Sequence, residues 1–142
     1  MTVFNYTVQS KNMLADLCTP VSAYIRLRDL YTQSALMESS DYHGGENGRS
    51  FIGVQPLGHV SIEHGVGHCY FPDGSTYDLP INKENRSEAI INYFLKSFNI
   101  QGENAKLCGL FGYTSFNAVR YFENIDVKDE TMEKNDAPDM IY

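Results

Sequence analysis

"SFIGVQPLGHVSIEHGVGHCYFPDGSTYDL", residues 50–79, decides the fold class. Apolar residues alternate with polar ones along most of it, and glycine and proline interrupt at short intervals. Such a pattern makes strands joined by tight turns rather than helices. Gly65-Val66-Gly67 reads as a hairpin turn, and Asp73-Gly74 as another. The chain on either side supplies helices. Thr19-Pro20 places an N-capping hydroxyl before a proline at the first helical position. "PVSAYIRLRDLY" then keeps its apolar residues near one face, which predicts a helix from 20 to about 31. Downstream, Asn85 with Glu88 three residues on resembles a capping box. Ile90, Ile91, Phe94, Leu95 and Phe98 follow at helical spacing, so a second helix is expected over 86–98.

The remaining segments fill in an α+β domain. "TVFNYTV" (2–8) and "SALMES" (34–39) read as strands. "AKLCGLFGY" (105–113) reads as an apolar strand with Cys108 buried in it, and "FNAVRYF" (116–122) as a helix. Residues 124–138 read as an acidic, irregular loop, after which "PDMIY" is expected to begin another strand. That ending is expected of a piece of a longer protein. The expected architecture is α+β, with antiparallel strands in two packed sheets and both helices against them.

Composition narrows the function. The 142 residues carry 11 basic and 18 acidic side chains, a net charge of -7, with no basic stripe. A nucleic-acid partner needs clustered Lys and Arg, so none is expected. No apolar run approaches the ~18 residues that span a bilayer, so no membrane is expected either. Three scattered cysteines without a C-x-x-C pair suit a reducing cytoplasm rather than a disulfide framework. His59, His64 and His68, with Cys69, match no common zinc spacing and read as strand histidines. "GGENG" lacks the lysine and hydroxyl of a phosphate loop, and no serine sits in a nucleophile elbow. No catalytic set is visible.

The residues that stand out are "ALMESSDYHGGENGRSFIG" (35–53), where an acid and two hydroxyls directly follow an apolar pair. On its own this is a strand end with turn-forming residues. Together with "TPVSAYIRLRD" (19–29), "LFGYTSFNAVRYFE" (110–123) and the terminal "PDM" (138–140), in this order and spacing, it resembles the N-terminal domain of anthranilate synthase component I. Met37 stands where that family often has leucine, and Asn117 where aspartate is frequent.

The resemblance implies a role. The full enzyme of that family converts chorismate to anthranilate and pyruvate, with ammonia from a glutamine amidotransferase subunit. Chorismate and magnesium belong to its large C-terminal domain. Residues 1–142 would then be the N-terminal regulatory domain, ending before the catalytic one, inactive alone and without a cofactor of its own. Tryptophan inhibits this family at a site built largely on the N-terminal domain. The matching positions here are Leu36, Met37, Glu38 and Ser39, with Arg49 just before the "SFIG" element and Pro20 at the helix start. An amino-acid ligand suits such a set. A guanidinium takes the carboxylate, an acid or carbonyl the ammonium, and apolar walls the ring. Aminodeoxychorismate synthase component I resembles the chain in the same way. A subunit-docking module without a ligand is the alternative of another class. An uncovered sheet edge would favour homo-oligomers.

Overall fold

The computed structural model describes residues 2–38, 48–123 and 137–142. They divide into two compact units, residues 1–10 with 57–142 and residues 11–56. The α+β class holds in both.

The larger unit is built on a five-stranded antiparallel sheet. Its strands are β4 (His59–Glu63), β5 (Val66–Tyr70), β6 (Thr76–Pro80), β8 (Tyr113–Thr114) and β9 (Met140–Ile141). They run in the order β6-β5-β4-β9-β8. β4 and β5 meet through His64-Gly65, both at positive φ, 48° and 76°. This is the primed two-residue turn that matches strand twist. The turn therefore lies one residue earlier than Gly65–Gly67, and Gly67 is a strand residue. Its glycine answers to packing: a Cβ there would lie 2.9 Å from two carbons of Ile90. The Asp73-Gly74 turn forms as expected. Gly74 takes φ +81°, and Asp73 accepts from the N–H and the hydroxyl of Ser75, which holds its carboxyl below the usual range.

Helix α2 (Ser87–Lys96) covers one face of this sheet with Ile90 and Phe94, spaced one helical turn apart. They close the core with Val60, Ile62, Cys69, Ala118 and Met140. Asn85 does not cap this helix. Arg86 holds the N-cap position without a side-chain bond, while Asn82 accepts from the N–H groups of Glu84 and Asn85 in a local Asx turn. Beside the core, β1 (Phe4–Val8) pairs in parallel with β7 (Phe98–Gly102). Phe4 stacks on Phe71 at 5.6 Å between ring centres, and Phe71 on Phe94 at 5.5 Å. Two antiparallel sheets were expected. The described strands instead form one five-stranded and two two-stranded sheets, and the β1–β7 pair is parallel.

Residues 105–113 depart from the expected strand. Asn104 enters the left-handed region at φ 63°, a 3-10 turn follows over Ala105–Leu107, and only Tyr113–Thr114 pair. "FNAVRY" is helical but 3-10, with Ala118 buried. Cys108 is consequently exposed, as is Cys18, whereas Cys69 is fully buried. Burial, with Asp78 adding to it, pushes the Cys69 thiol up to about 12. In native protein a disulfide reagent such as DTNB should therefore titrate two thiols quickly and the third only on unfolding. Three fast thiols would mean that the sheet opens around Cys69.

The "PDM" element is anchored from several sides. Asp139 is 7% exposed. Its N–H donates to the Ile62 carbonyl and its own carbonyl accepts from Ser115. Tyr121 donates its hydroxyl to the Asp139 carboxylate at 2.7 Å and accepts from the Gly65 N–H at 3.2 Å. Burial first, then the bond to Asp139 and its charge, push the Tyr121 phenol up to about 12. Tyr121→Phe should cost about 1–3 kcal/mol, because a buried carboxylate loses its donor. The raised pKa fixes the pH window. The contribution is complete below the unfolded tyrosine value of ~10 and is lost as pH climbs through about 12. Urea denaturation at pH 8 and near pH 11 should show the gap between wild type and variant narrowing.

Candidate functional site

The smaller unit holds the described candidate positions, Pro20, Leu36, Met37, Glu38 and Arg49, in or next to one supersecondary element. β2 (Ser34–Glu38) pairs antiparallel with β3 (Ser50–Val54), and helix α1 (Pro20–Arg28) packs on both strands. The helix start forms as the sequence dictates. Thr19 accepts from the Ser22 N–H at 3.1 Å, and Ser22 accepts from the Thr19 N–H at 3.0 Å, a reciprocal cap with Pro20 at the first helical position. The helix ends at Arg28 rather than 31, with Leu27 accepting from Leu30 and Tyr31. Pro20, Tyr24 and Leu27 are half-buried at helical spacing, whereas Val21 and Ile25 are exposed. The Tyr24 hydroxyl donates to the Ser34 carbonyl at 3.4 Å, and the Gln55 N–H to the Gln33 carbonyl closes the other end of the ribbon.

The register assigns the candidate side chains. Leu36 lies opposite Ile52, Met37 opposite Phe51, and Glu38 opposite Ser50. Cross-strand partners share a face and successive residues alternate. Leu36 and Glu38 therefore stand on one face of the ribbon, with Ile52 and Val54, and Met37 stands on the other, with Phe51. Leu36 and Met37 are both half-buried but are not two walls of one surface. Glu38 is the last residue of β2 and is exposed, as is Arg49, one residue before β3. The two charged candidates thus lie at the same end of the ribbon, Glu38 on the face of Leu36 and Ile52 and Arg49, by parity, in line with Phe51. Ser39 lies outside the described residues. Pro20 sits at the start of α1.

A second polar cluster lies in the larger unit, on the sheet face opposite α2. His68 Nδ1 lies 2.8 Å from Asp78 Oδ1 across β5 and β6. His59 stacks on Tyr70 at 4.2 Å, and its burial lowers its pKa against the opposing charge of Glu63. The sequence signal for these pairs is their cross-strand register, legible only once the turn is placed at His64-Gly65. No three potential ligands converge on a metal position among the described residues, and none of their helices is long and apolar enough to cross a membrane.

Comparison with known proteins gives a distant relative. Over 139 residues the chain is 25% identical to anthranilate synthase component 1 of Lactococcus lactis. The match takes in 93% of this chain, and the chain spans about a quarter (27%) of that relative's length. No family profile and no solved structure matches it.

Proposed function

We propose that this chain is the amino-acid-sensing regulatory portion of a chorismate-utilising enzyme of the anthranilate synthase type, and that L-tryptophan is its ligand. The observation that carries the reading is the distant similarity to anthranilate synthase component 1 along 93% of the chain. Unlike a similarity confined to one motif, it extends over most of the chain, the helix start and the β2–β3 ribbon included.

The geometry of the ribbon end suits the head of a free amino acid. Glu38 offers a carboxylate to the ammonium, and Arg49 offers a guanidinium to the ligand carboxylate. Both are exposed and within reach of the same end of β2–β3. Ser39 follows Glu38 directly and adds a hydroxyl. Apolar side chains behind them, Met37 or Leu36 according to the face used, take the ring, with Pro20 as a further wall. The reaction itself and its magnesium lie with the rest of such an enzyme, and a glutamine amidotransferase subunit is the protein partner that the reading implies. The chain supplies regulation.

Ligand binding tests the reading. A ligand that binds only the folded state stabilises it by about 2.7 kcal/mol at a hundred times its Kd. L-Tryptophan should raise the melting temperature of the full polypeptide in a concentration-dependent way, and L-leucine and D-tryptophan should not. A melting temperature unmoved by millimolar L-tryptophan would discard the proposal.

A further inference from the structure

Helix α1 is apolar on two faces, and the ribbon covers one of them. Pro20, Tyr24 and Leu27 are the half-buried residues that share the first face, and α1 packs there on β2 and β3. Val21 and Ile25, one helical turn apart, share a second face and are exposed. The chain entering the helix is apolar and exposed as well. A turn closes from the Cys18 N–H to the Ala15 carbonyl at 3.0 Å, and Leu14 and Leu17 beside it stand almost fully in solvent. Leu14, Leu17, Val21 and Ile25 thus recur at intervals of three and four residues, the spacing by which one helical stripe packs on another. A single exposed leucine is ordinary, but four apolar side chains at this spacing, with Met13 next to them, mark an interaction surface. Opposite charges stand at its two ends. Asp16 is the only charged residue between Lys11 and Arg26, and Arg26 and Arg28 occupy the last turn of α1. Asp16 and Arg26 are exposed, and neither forms an ion pair among the described residues. Arg28 reaches only its neighbour Asp29, at 3.6 Å.

We infer that this face of α1 binds a second copy of the chain, the two helices running antiparallel about a two-fold axis near Val21. Asp16 stands five residues before Val21 and Arg26 five residues after it. Leu17 and Ile25 stand four residues before and after. A two-fold axis at Val21 carries the acidic end of each protomer toward the basic end of the other, and Leu17 toward the partner copy's equivalent of Ile25. One surface then serves both partners, as an isologous contact requires. A parallel pairing would set Arg26 and Arg28 against their own copies, and like charges repel it. Two short helices bury less than the ~1,600 Å² of a standard interface, so the dimer is a weak one, with Kd in the range of about 1–100 μM. The ribbon lies against the other face of α1, so the pairing does not depend on a ligand there.

Sedimentation equilibrium of the full polypeptide tests this. Wild type should pass from monomer to dimer between about 1 and 300 μM, the span that brackets such an affinity. Leu17→Lys, at a position fully in solvent, leaves the fold as it is and should weaken association at least about tenfold, because a lysine then has to be buried in an apolar contact. Asp16→Arg should weaken it to a similar degree, and so should Arg26→Glu combined with Arg28→Glu, since like charges then face each other across the axis. Mixing these two charge variants in equal amounts should restore the dimer, because each supplies the charge that the other lacks. Melting curves establish that each variant is folded, and Leu17→Lys decides alone where the double variant is not. A wild type that stays monomeric, a dimer that Leu17→Lys leaves intact, or a mixture of folded charge variants no more associated than its parts overturns the inference. In the first case, a melting temperature lowered by Leu17→Lys assigns this face to another part of the same chain.

Discussion

On the proposed regulatory reading, Ser39→Phe in the enzyme that carries this chain should raise the tryptophan concentration for half-inhibition at least about tenfold, with kcat and KM for chorismate changed by less than about threefold. Feedback inhibition is a coupling between two sites, and such couplings are typically ~1–3 kcal/mol, or ~5–150-fold. Only the end that touches the ligand is altered here. Ser39 follows the Glu38–Ser50 pair that closes the described part of the ribbon, on the side where Glu38 and Arg49 offer their charges. A phenyl group there occupies ligand volume and removes a hydroxyl donor, so tryptophan binds less. The chorismate site of such an enzyme belongs to a different domain and keeps its geometry. If Ser39 were only a strand-end residue, the variant would melt earlier or not at all differently and would remain equally sensitive. Inhibition curves and a melting curve on the same preparation separate the two. Unaltered inhibition in a well-folded variant would refute the assignment of this element.

The largest loss of stability is expected at Ile90. It is fully buried, and Ile90→Ala should cost about 2–5 kcal/mol, the range for deleting a core aliphatic group. Its position opposite Gly67 makes a sharper test. A methyl on Gly67 would fall 2.9 Å from Ile90 carbons, so Gly67→Ala alone is an overpacking change worth about 1–3 kcal/mol. In the Ile90→Ala background that methyl enters vacated space. The double variant should therefore be more stable than the sum of the singles by about 0.5–3 kcal/mol, measured by urea denaturation. Additive losses would show that the two residues do not touch in solution.

These two sites illustrate what the sequence could and could not reveal. The cap of α1 was legible because Thr19, Pro20 and Ser22 act within one turn and need nothing from elsewhere. The Asp73-Gly74 turn was legible for the same reason. The β4–β5 hairpin slipped by one residue because two glycines flank Val66 and only one makes the turn. Gly67 is set by Ile90, 23 positions away, a contact that local patterning does not encode. Asn85 has the chemistry of a cap, but Asn82 bonds its N–H first and moves the helix start to Ser87. Cys108 looked buried by composition, yet the 3-10 turn before it leads the chain to the surface. At the ribbon, alternation already placed Leu36 and Met37 on opposite faces once both were read in one strand. Which face stays open depended on where α1 packs.

The sheet order also sets a timetable for folding at the ribosome. β9, from residues 140–141, lies between β4 and β8, so an interior position of the five-stranded sheet is filled long after β4 and β5 are made. β1 likewise finds its partner in β7, 94 residues later. At translation speeds of about 5–20 residues per second, β1 and the β9-facing edge of the β4–β5 hairpin stay unpaired for several seconds after leaving the tunnel. The α1–β2–β3 unit has no such wait, since all its pairings fall within residues 11–56. The nascent chain thus carries a closed α1–β2–β3 unit while the five-stranded sheet still has an open edge, which makes the larger unit the part that chaperones have to shield.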